Sequence, residues 1–197
     1  AAFDIEYEFP MGFKEVEGIH SRTDFDLKQH EQFSGKKLQY FDGEANQSFV
    51  PYVVETSIGV DRMFLSILCD SFHEEEVVSD GKKEQRVVLK FHPFLAPIKA
   101  AILPLTKKDG LPEKAREIFD LLKFDFNIFY EEKDSIGKRY RRMDAIGTPF
   151  CLTVDHQTLQ DNSVTIRDRD TMKQERADIK NLNSLIGEKL SFQKLFS

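Results

Sequence analysis

A strand that runs directly into a helix carries the residues of this chain that are best suited to chemistry. Glu55, Ser57, Gly59 and Arg62 stand at or beside the junction. Backbone N–H groups at the start of a helix point towards whatever lies in front of it, which makes such a junction a natural phosphate site. Arg62 in the first turn opposes the helix dipole, and a polyphosphate in front of the helix would explain that cost. The junction is therefore a candidate polyphosphate site.

The elements that position this junction follow from the spacing of apolar residues. A β-branched and aromatic run predicts a strand over 49–55, and helical spacing predicts a helix from residue 60 to about residue 72. Residues 3–9 and 13–19 alternate as half-buried strands do. The second of these would place Glu15 and Glu17 on one mainly apolar face. That placement suits either an exposed edge or a polar pocket lined by the sheet.

The second half of the chain alternates strands and helices, which predicts an α/β domain. Strands are predicted at 100–105, 124–130, 150–154 and 163–167, and helices at 111–122, 135–145 and from about 173 towards 190. The charged segment 73–84 is predicted as a solvated loop and a boundary between domains. Its histidine and glutamates lack the HExxH spacing, so a metal site there is not favoured.

The overall composition is that of an ordinary globular protein, with 40% hydrophobic and 31% charged residues. Two cysteines exclude a disulfide framework or a multi-cysteine zinc site, and no segment suggests secretion or a membrane span, so a cytoplasmic location is expected. The net charge is −6, but it is unevenly divided. Residues 1–90 hold 10 Lys and Arg against 18 Asp and Glu, whereas residues 91–197 hold 18 against 16. Any affinity for phosphate should therefore lie in the second half.

Three ordered stretches resemble one enzyme family. Residues 55–62 (Glu-Thr-Ser-Ile-Gly-Val-Asp-Arg) closely resemble the third signature motif of class II aminoacyl-tRNA synthetases, in the form seen in glycyl-tRNA synthetases. Residues 13–27 resemble the strand and loop before that motif in bacterial-type glycyl enzymes. Residues 92–97 through 147–149 resemble the start and body of the class IIa anticodon-binding domain. The resemblance covers nearly the whole chain.

The resemblance implies an α/β fold class with two domains. Residues 1–86 would be the C-terminal part of the class II catalytic core, an α+β remnant of its antiparallel sheet that includes the third motif. Residues 87–197 would be an anticodon-binding α/β domain with a mixed sheet of four strands and three helices. The implied activity is the ATP-dependent ligation of glycine to its tRNA through glycyl adenylate.

The resemblance also implies the site residues. Arg62 would hold the γ-phosphate of ATP and is the candidate catalytic residue, while the carboxylate of Glu55 and the nearby hydroxyl of Ser57 suit the glycine ammonium. As an alternative, Ser57 could be a helix N-cap. Thr56 stands where many bacterial relatives have proline and should face away. The full glycine set is Glu55, Thr56, Ser57, Ile58 and Gly59, and the ATP set is Glu15, Val16, Gly59, Val60, Asp61 and Arg62. Mg²⁺ would accompany ATP as substrate, and neither a tightly bound cofactor nor a metal ligand set is expected in this chain.

Basic residues of the second half are candidates for tRNA contact, because phosphates and unstacked bases suit arginine. Packing within the domain is the alternative, and Arg142 could pair with Asp144 or Glu131. The candidates are Lys138, Arg139, Arg141, Arg142, Arg167 and Arg169.

Neither the first nor the second class II motif is found in this chain. It therefore looks like the C-terminal portion of a longer, homodimeric enzyme, expected to be inactive alone, whose partners are glycine, ATP and the anticodon region of glycine tRNA, with no membrane. The main alternative is a non-enzymatic nucleic-acid-binding module of the kind found in accessory subunits of mitochondrial DNA polymerase. The presence of Glu55, Ser57, Gly59 and Arg62 together favours the enzyme.

Overall fold

The computed structural model describes residues 1–79 and 81–195, which divide into two compact units. The first is Ala1–Asp70 and the second begins at Ser71. The predicted domain boundary lies between residues 86 and 87, whereas the two units divide between Asp70 and Ser71. Residues 71–86 therefore belong to the second unit. Asp80 in the predicted loop, and Phe196 and Ser197 at the end of the predicted second domain, lie outside the described residues.

The first unit is built on an antiparallel three-stranded sheet in the order β1-β2-β5. A separate hairpin, β3–β4, stands between the second and third strands along the chain. The elements are β1 (Ala2–Phe9), β2 (Gly12–Thr23), α1 (Phe25–Ser34), β3 (Tyr40–Asp42), β4 (Gln47–Phe49), β5 (Val53–Ile58) and α2 (Val60–Ser71).

Three features of this unit differ from the sequence prediction. The strand predicted over 49–55 is divided into β4 and β5, with Pro51, which has no N–H for a ladder, in the gap. Helix α1 is not predicted because it buries no residue and so has no apolar stripe. A bulge leaves Val16 unpaired opposite Ile5 and Glu6, which interrupts the predicted alternation of β2.

The second unit is built on a mixed five-stranded sheet in the order β12-β11-β10-β8-β9. The last three strands in this order are parallel, and β11 and β12 are antiparallel to their neighbours. A hairpin, β6 (Phe72–Ser79) and β7 (Lys82–Leu89), precedes the sheet. The remaining elements are β8 (Ala100–Pro104), α3 (Leu111–Leu122), β9 (Ile128–Tyr130), α4 (Ile136–Ala145), β10 (Phe150–Val154), α5 (Thr158–Asp161), β11 (Ser163–Asp168), β12 (Gln174–Asp178) and α6 (Leu182–Lys189), with 3₁₀ turns at Ile179–Asn181 and Phe192–Leu195.

The α/β class and the mixed sheet are confirmed, and three element predictions are corrected. The predicted loop at 73–84 lies within the β6–β7 hairpin. The strand predicted from 124 begins only at Ile128. The helix predicted from about 173 begins at Leu182, because residues 174–178 form the fifth strand by pairing with β11. Ladder hydrogen bonds along the edge of β11 override the weak strand propensity of this polar segment.

Both faces of the central sheet are covered. Strands β8 and β10 are buried along their whole lengths. On one face they contact the apolar sides of α3 and α6, including Leu111, Ile118 and Leu182. On the other face, Met143 of α4 packs with Cys151 and its neighbours. No helix among the described residues has the length and apolar character needed to cross a membrane.

The burial of Cys151 gives a chemical test of this core. Burial raises the pKa of the Cys151 thiol to about 12, whereas Cys69 is only half-buried. Because the thiolate is the reactive form, we expect iodoacetamide at pH 8 to label native Cys151 about 10³-fold more slowly than an ordinary thiol. Labelling should become rapid in denaturant. Mass spectrometry of peptides from the two cysteines measures this, and equal native labelling of both would contradict the packing of the second unit.

Candidate functional site

The junction between β5 and α2 brings the predicted ATP residues together. The Gly59 N–H donates to the Val16 carbonyl over 3.4 Å, and Arg62 Nη1 donates to the Glu15 carbonyl at 2.6 Å. Val60 and Asp61 form the exposed start of the helix. The guanidinium group of Arg62 thus reaches from the first turn of α2 to β2, beside the N-terminus of the helix. This arrangement concentrates a full positive charge and the helix dipole at one place.

The local surroundings of Gly59 do not require the residue to be glycine. A Cβ there would lie 3.7 Å from the Arg62 side chain, which is ordinary contact. Gly18 differs, because a Cβ there would lie 2.8 Å from His20 Cε1 and 3.4 Å from Glu15 Oε1. A side chain at position 18 would therefore require the His20 ring to move, whereas one at position 59 would make only ordinary contact with Arg62.

The strand register decides which predicted glycine-binding residues share a face. Gly18 lies opposite Ser57 and His20 opposite Glu55, so these four occupy one face of the sheet. Thr56 and Ile58 occupy the other face, which agrees with the prediction that Thr56 faces away. Helix α2 begins at Val60, which leaves Ser57 within β5 and excludes it as the N-cap.

Four charged or polar residues at or near Glu55, namely Arg22, Asp26, His20 and Asp4, are absent from the predicted set. Arg22 Nε lies 3.4 Å from Glu55 Oε2 and 2.7 Å from Asp26 Oδ2, and its hydrogen bond lowers the pKa of the Asp26 carboxyl. His20 Nε2 lies 3.8 Å from Asp4 Oδ1. The register with β5 places Gly18 and His20 on the face of Glu55, whereas Arg22 lies at a shift in that register and is placed beside Glu55 by their contact.

A second candidate site is a groove in the second unit, which we call the α4 groove. Its volume is about 490 Å³, and the β6–β7 hairpin, α4 and the β11–β12 region line it. Three of the tRNA candidates, Lys138, Arg141 and Arg167, are in its wall, together with Tyr140 and Met172. Arg141 Nη2 lies 3.1 Å from Glu84, and the Arg167 guanidinium stands 4.8 Å from the centre of the Tyr140 ring. The groove therefore offers cations and an aromatic ring side by side.

The other three tRNA candidates form hydrogen bonds or ion pairs within the protein. Arg139 and Arg169 are 2% and 1% exposed. Arg139 donates to the Pro104 carbonyl at 2.7 Å, and Arg169 to the carbonyls of Gly147 and Phe91. Their guanidinium groups are buried and bonded to backbone carbonyls, so these two arginines are not exposed for contact with tRNA.

Arg142 forms ion pairs within the domain, which is the alternative to tRNA contact that the sequence left open. Its Nε pairs with Glu131 and its Nη1 with Asp134, each at 3.0 Å, rather than with Asp144. Among the described residues, no group of three or more His, Cys, Asp or Glu is arranged to hold a metal ion.

Comparison with known proteins extends over both units. Residues 99–189 match the family model of the anticodon binding domain. A glycine–tRNA ligase from Staphylococcus haemolyticus is 53% identical over 192 residues, which are 98% of this chain and 41% of that protein. The chain is homologous to glycine–tRNA ligases. The ligase from Treponema denticola is 53% identical over 177 residues (89% of this chain, 39% of that protein), and the ligase from Chlorobaculum tepidum 52% over 189 residues (96% and 39%).

The chain spans about two fifths of the length of these ligases. The anticodon-domain match begins at residue 99, after the β6–β7 hairpin, whereas the match to the ligases also includes the hairpin and the first unit. The resemblance inferred from the three sequence stretches is confirmed.

Proposed function

We propose that this chain is the C-terminal portion of a glycine–tRNA ligase, which joins glycine to its tRNA at the expense of ATP through glycyl adenylate. The chain would supply part of the glycine and ATP site and the domain that binds the anticodon. The observation that best supports the proposal is the meeting of Arg62, Gly59 and the Glu15 carbonyl at one end of the strand that carries Glu55 and Ser57.

In this site, Glu55 would bind the glycine ammonium, with Ser57 beside it on the same face. Arg62 would hold the γ-phosphate of ATP, and the bare backbone at Gly59 would let the nucleotide approach. Mg²⁺ would arrive with ATP, held mainly by phosphates and water. Phosphoryl chemistry of this kind requires positioning and charge neutralisation more than covalent participation by the protein.

In the second unit, the α4 groove would bind the anticodon region of glycine tRNA. Lys138 and Arg141 suit backbone phosphates. Tyr140 is half-buried and Arg167 is 5% exposed, with its guanidinium group stacked on the Tyr140 ring, so these two would meet an unstacked base only along the wall of the groove. Arg142 is half-exposed beside the groove-lining residues of α4 and remains a weaker candidate. The family resemblance adds a homodimeric, cytoplasmic parent enzyme to the proposal.

We expect this 197-residue chain to show no glycine-dependent ATP–pyrophosphate exchange, because it has no counterpart of the second-motif arginine that holds the α-phosphate in the family. Exchange above the level without glycine would contradict this expectation. The measurement is incorporation of labelled pyrophosphate into ATP with glycine, and with alanine as the control.

The same chain should nevertheless bind glycine tRNA more tightly than a version with a substituted anticodon, in titrations over a series of salt concentrations. Equal and steeply salt-dependent binding to both would mean phosphate attraction alone. That result would favour a general nucleic-acid-binding module over an anticodon-binding domain.

A further inference from the structure

Beneath the α4 groove lies a buried cluster of three charges. Asp144, which is fully buried, accepts hydrogen bonds from Arg167 Nη1 and Nη2 at 2.8 and 3.0 Å. The Nε of Arg86 lies 3.1 Å from the same carboxylate, and the Arg86 side chain is also fully buried. One carboxylate therefore holds two guanidinium groups, and the formal charge of the three residues is +1.

Arg86 comes from the β6–β7 hairpin, outside the residues that match the anticodon binding domain. Its Nη2 donates to the Arg169 carbonyl, which ties β7 to the end of β11. On its other side, Nη1 lies 3.6 Å from Glu75, and Glu75 lies 3.6 Å from Lys90, so this second carboxylate is shared with another cation. Arg86 thus adds an ion pair at Asp144 Oδ2, the carboxylate oxygen that also accepts from Arg167 Nη2.

The position of Arg167 matters because, although only 5% exposed, it is the member of the cluster that lines the groove. Two contacts fix its guanidinium group, the fork to Asp144 and the Tyr140 ring at 4.8 Å. Tyr140 is held in turn by a 2.6 Å hydrogen bond between its hydroxyl and that of Thr153. Without Arg86, Asp144 would have one partner fewer and could rotate, and Arg167 would follow it.

We propose that Arg86 is a positioning residue for RNA recognition: acting through Asp144, it holds Arg167 against Tyr140 in the wall of the α4 groove. The hairpin is then part of the RNA-binding unit, although it precedes the residues that match the anticodon binding domain. Arg86 can have this role only if the groove binds RNA as proposed above, and the test separates the two claims.

The test uses a fluorescent RNA stem-loop with the glycine anticodon, and a second stem-loop in which the anticodon is substituted. The quantity measured is the dissociation constant for the substituted stem-loop divided by that for the stem-loop with the glycine anticodon. Loss of folded protein lowers both affinities equally and leaves the ratio unchanged, so the ratio responds to positioning and not to stability. The variants are Arg86→Gln, Arg86→Lys, Arg141→Gln and, as a surface control that also removes one positive charge, Lys107→Gln.

For Arg86→Gln we expect the ratio to fall about tenfold, since a well-placed arginine contributes about that much to base discrimination. Arg86→Lys retains the charge, but an ammonium group cannot contact Asp144 and the Arg169 carbonyl as the guanidinium group does, so it should lower the ratio about threefold. The slope of log Kd against log salt should be unchanged in both, because Arg86 contacts no phosphate. Lys107→Gln should leave the ratio unchanged.

Arg141→Gln tests the groove itself and should reduce the salt slope by about 0.7. If Arg141→Gln weakens binding while Arg86→Gln and Arg86→Lys keep the wild-type ratio, the positioning role is wrong and the groove assignment stands. If Arg141→Gln has no effect on affinity, the groove assignment fails. Should Arg86→Gln not fold, the ratio measured with Arg86→Lys decides.

Discussion

Replacing Asp144 with alanine should destabilise the second unit by about 3–5 kcal/mol, the usual cost of removing one partner from a buried ion pair. The loss is large because Arg86 and Arg167 would both remain buried without the carboxylate that they share. The measurement is guanidinium chloride unfolding followed by circular dichroism, with the rate of Cys151 alkylation as a separate probe of the second unit.

Asp120→Ala is the matched control for this prediction. It also removes a carboxylate paired with a cation, Lys123, but this pair is on the exposed surface of α3, where ion pairs contribute little. Similar losses in the two variants would mean that the Asp144 cluster is effectively solvated. That outcome would also remove the basis for a positioning role of Arg86.

In a full-length ligase that contains this chain, Arg62→Ala should lower the rate of glycine-dependent ATP–pyrophosphate exchange by about 10²–10³-fold, as expected for loss of one preorganised electrostatic contact to the pyrophosphate leaving group. Arg62 is suited to this role because its guanidinium group stands at the N-terminus of α2, anchored on the Glu15 carbonyl. Steady-state exchange at varied ATP and glycine concentrations measures the effect.

Arg62→Lys should recover part of the rate, because it restores the charge without the planar fork. Lys36→Ala, which removes an exposed cation from the same unit, should leave exchange unchanged. Because Arg62 also bonds to β2, the melting temperature of each variant should be compared with that of the wild type. Full exchange activity in a folded Arg62→Ala protein would refute the assigned role.

Much of the second unit could be predicted from local pattern. Helix α3 and strand β10 have the predicted bounds, since strong periodicity and a preferred proline at the start mark a helix and a short apolar run marks a buried strand. Strand β12 could not be predicted. Its polar residues have no strong strand preference, and only the edge of β11 makes them extended.

The same contrast holds in the candidate sites. The junction of β5 and α2, with its glycine and arginine, is recognisable from residues 55–62 because the pattern is local and continuous. The contact between Arg62 and Glu15 joins residues far apart in the chain, and so does the opposition of His20 and Glu55. Neither follows from periodicity, since a register shift by one residue would move every side chain to the other face.

The sequence by itself showed the resemblance to glycine–tRNA ligases and the α/β class, and it proposed residues for glycine and phosphate, because these inferences depend on residue type and short-range spacing. Only the tertiary structure decided which basic residues are exposed and which are buried in contacts within the protein. Arg139 and Arg169 look like their neighbours in sequence, yet both are buried and donate to backbone carbonyls. Arg167 lines the groove while it is bonded to Asp144, which Arg86 also contacts. Burial and long-range pairing arise when distant segments meet, so a linear pattern cannot record them.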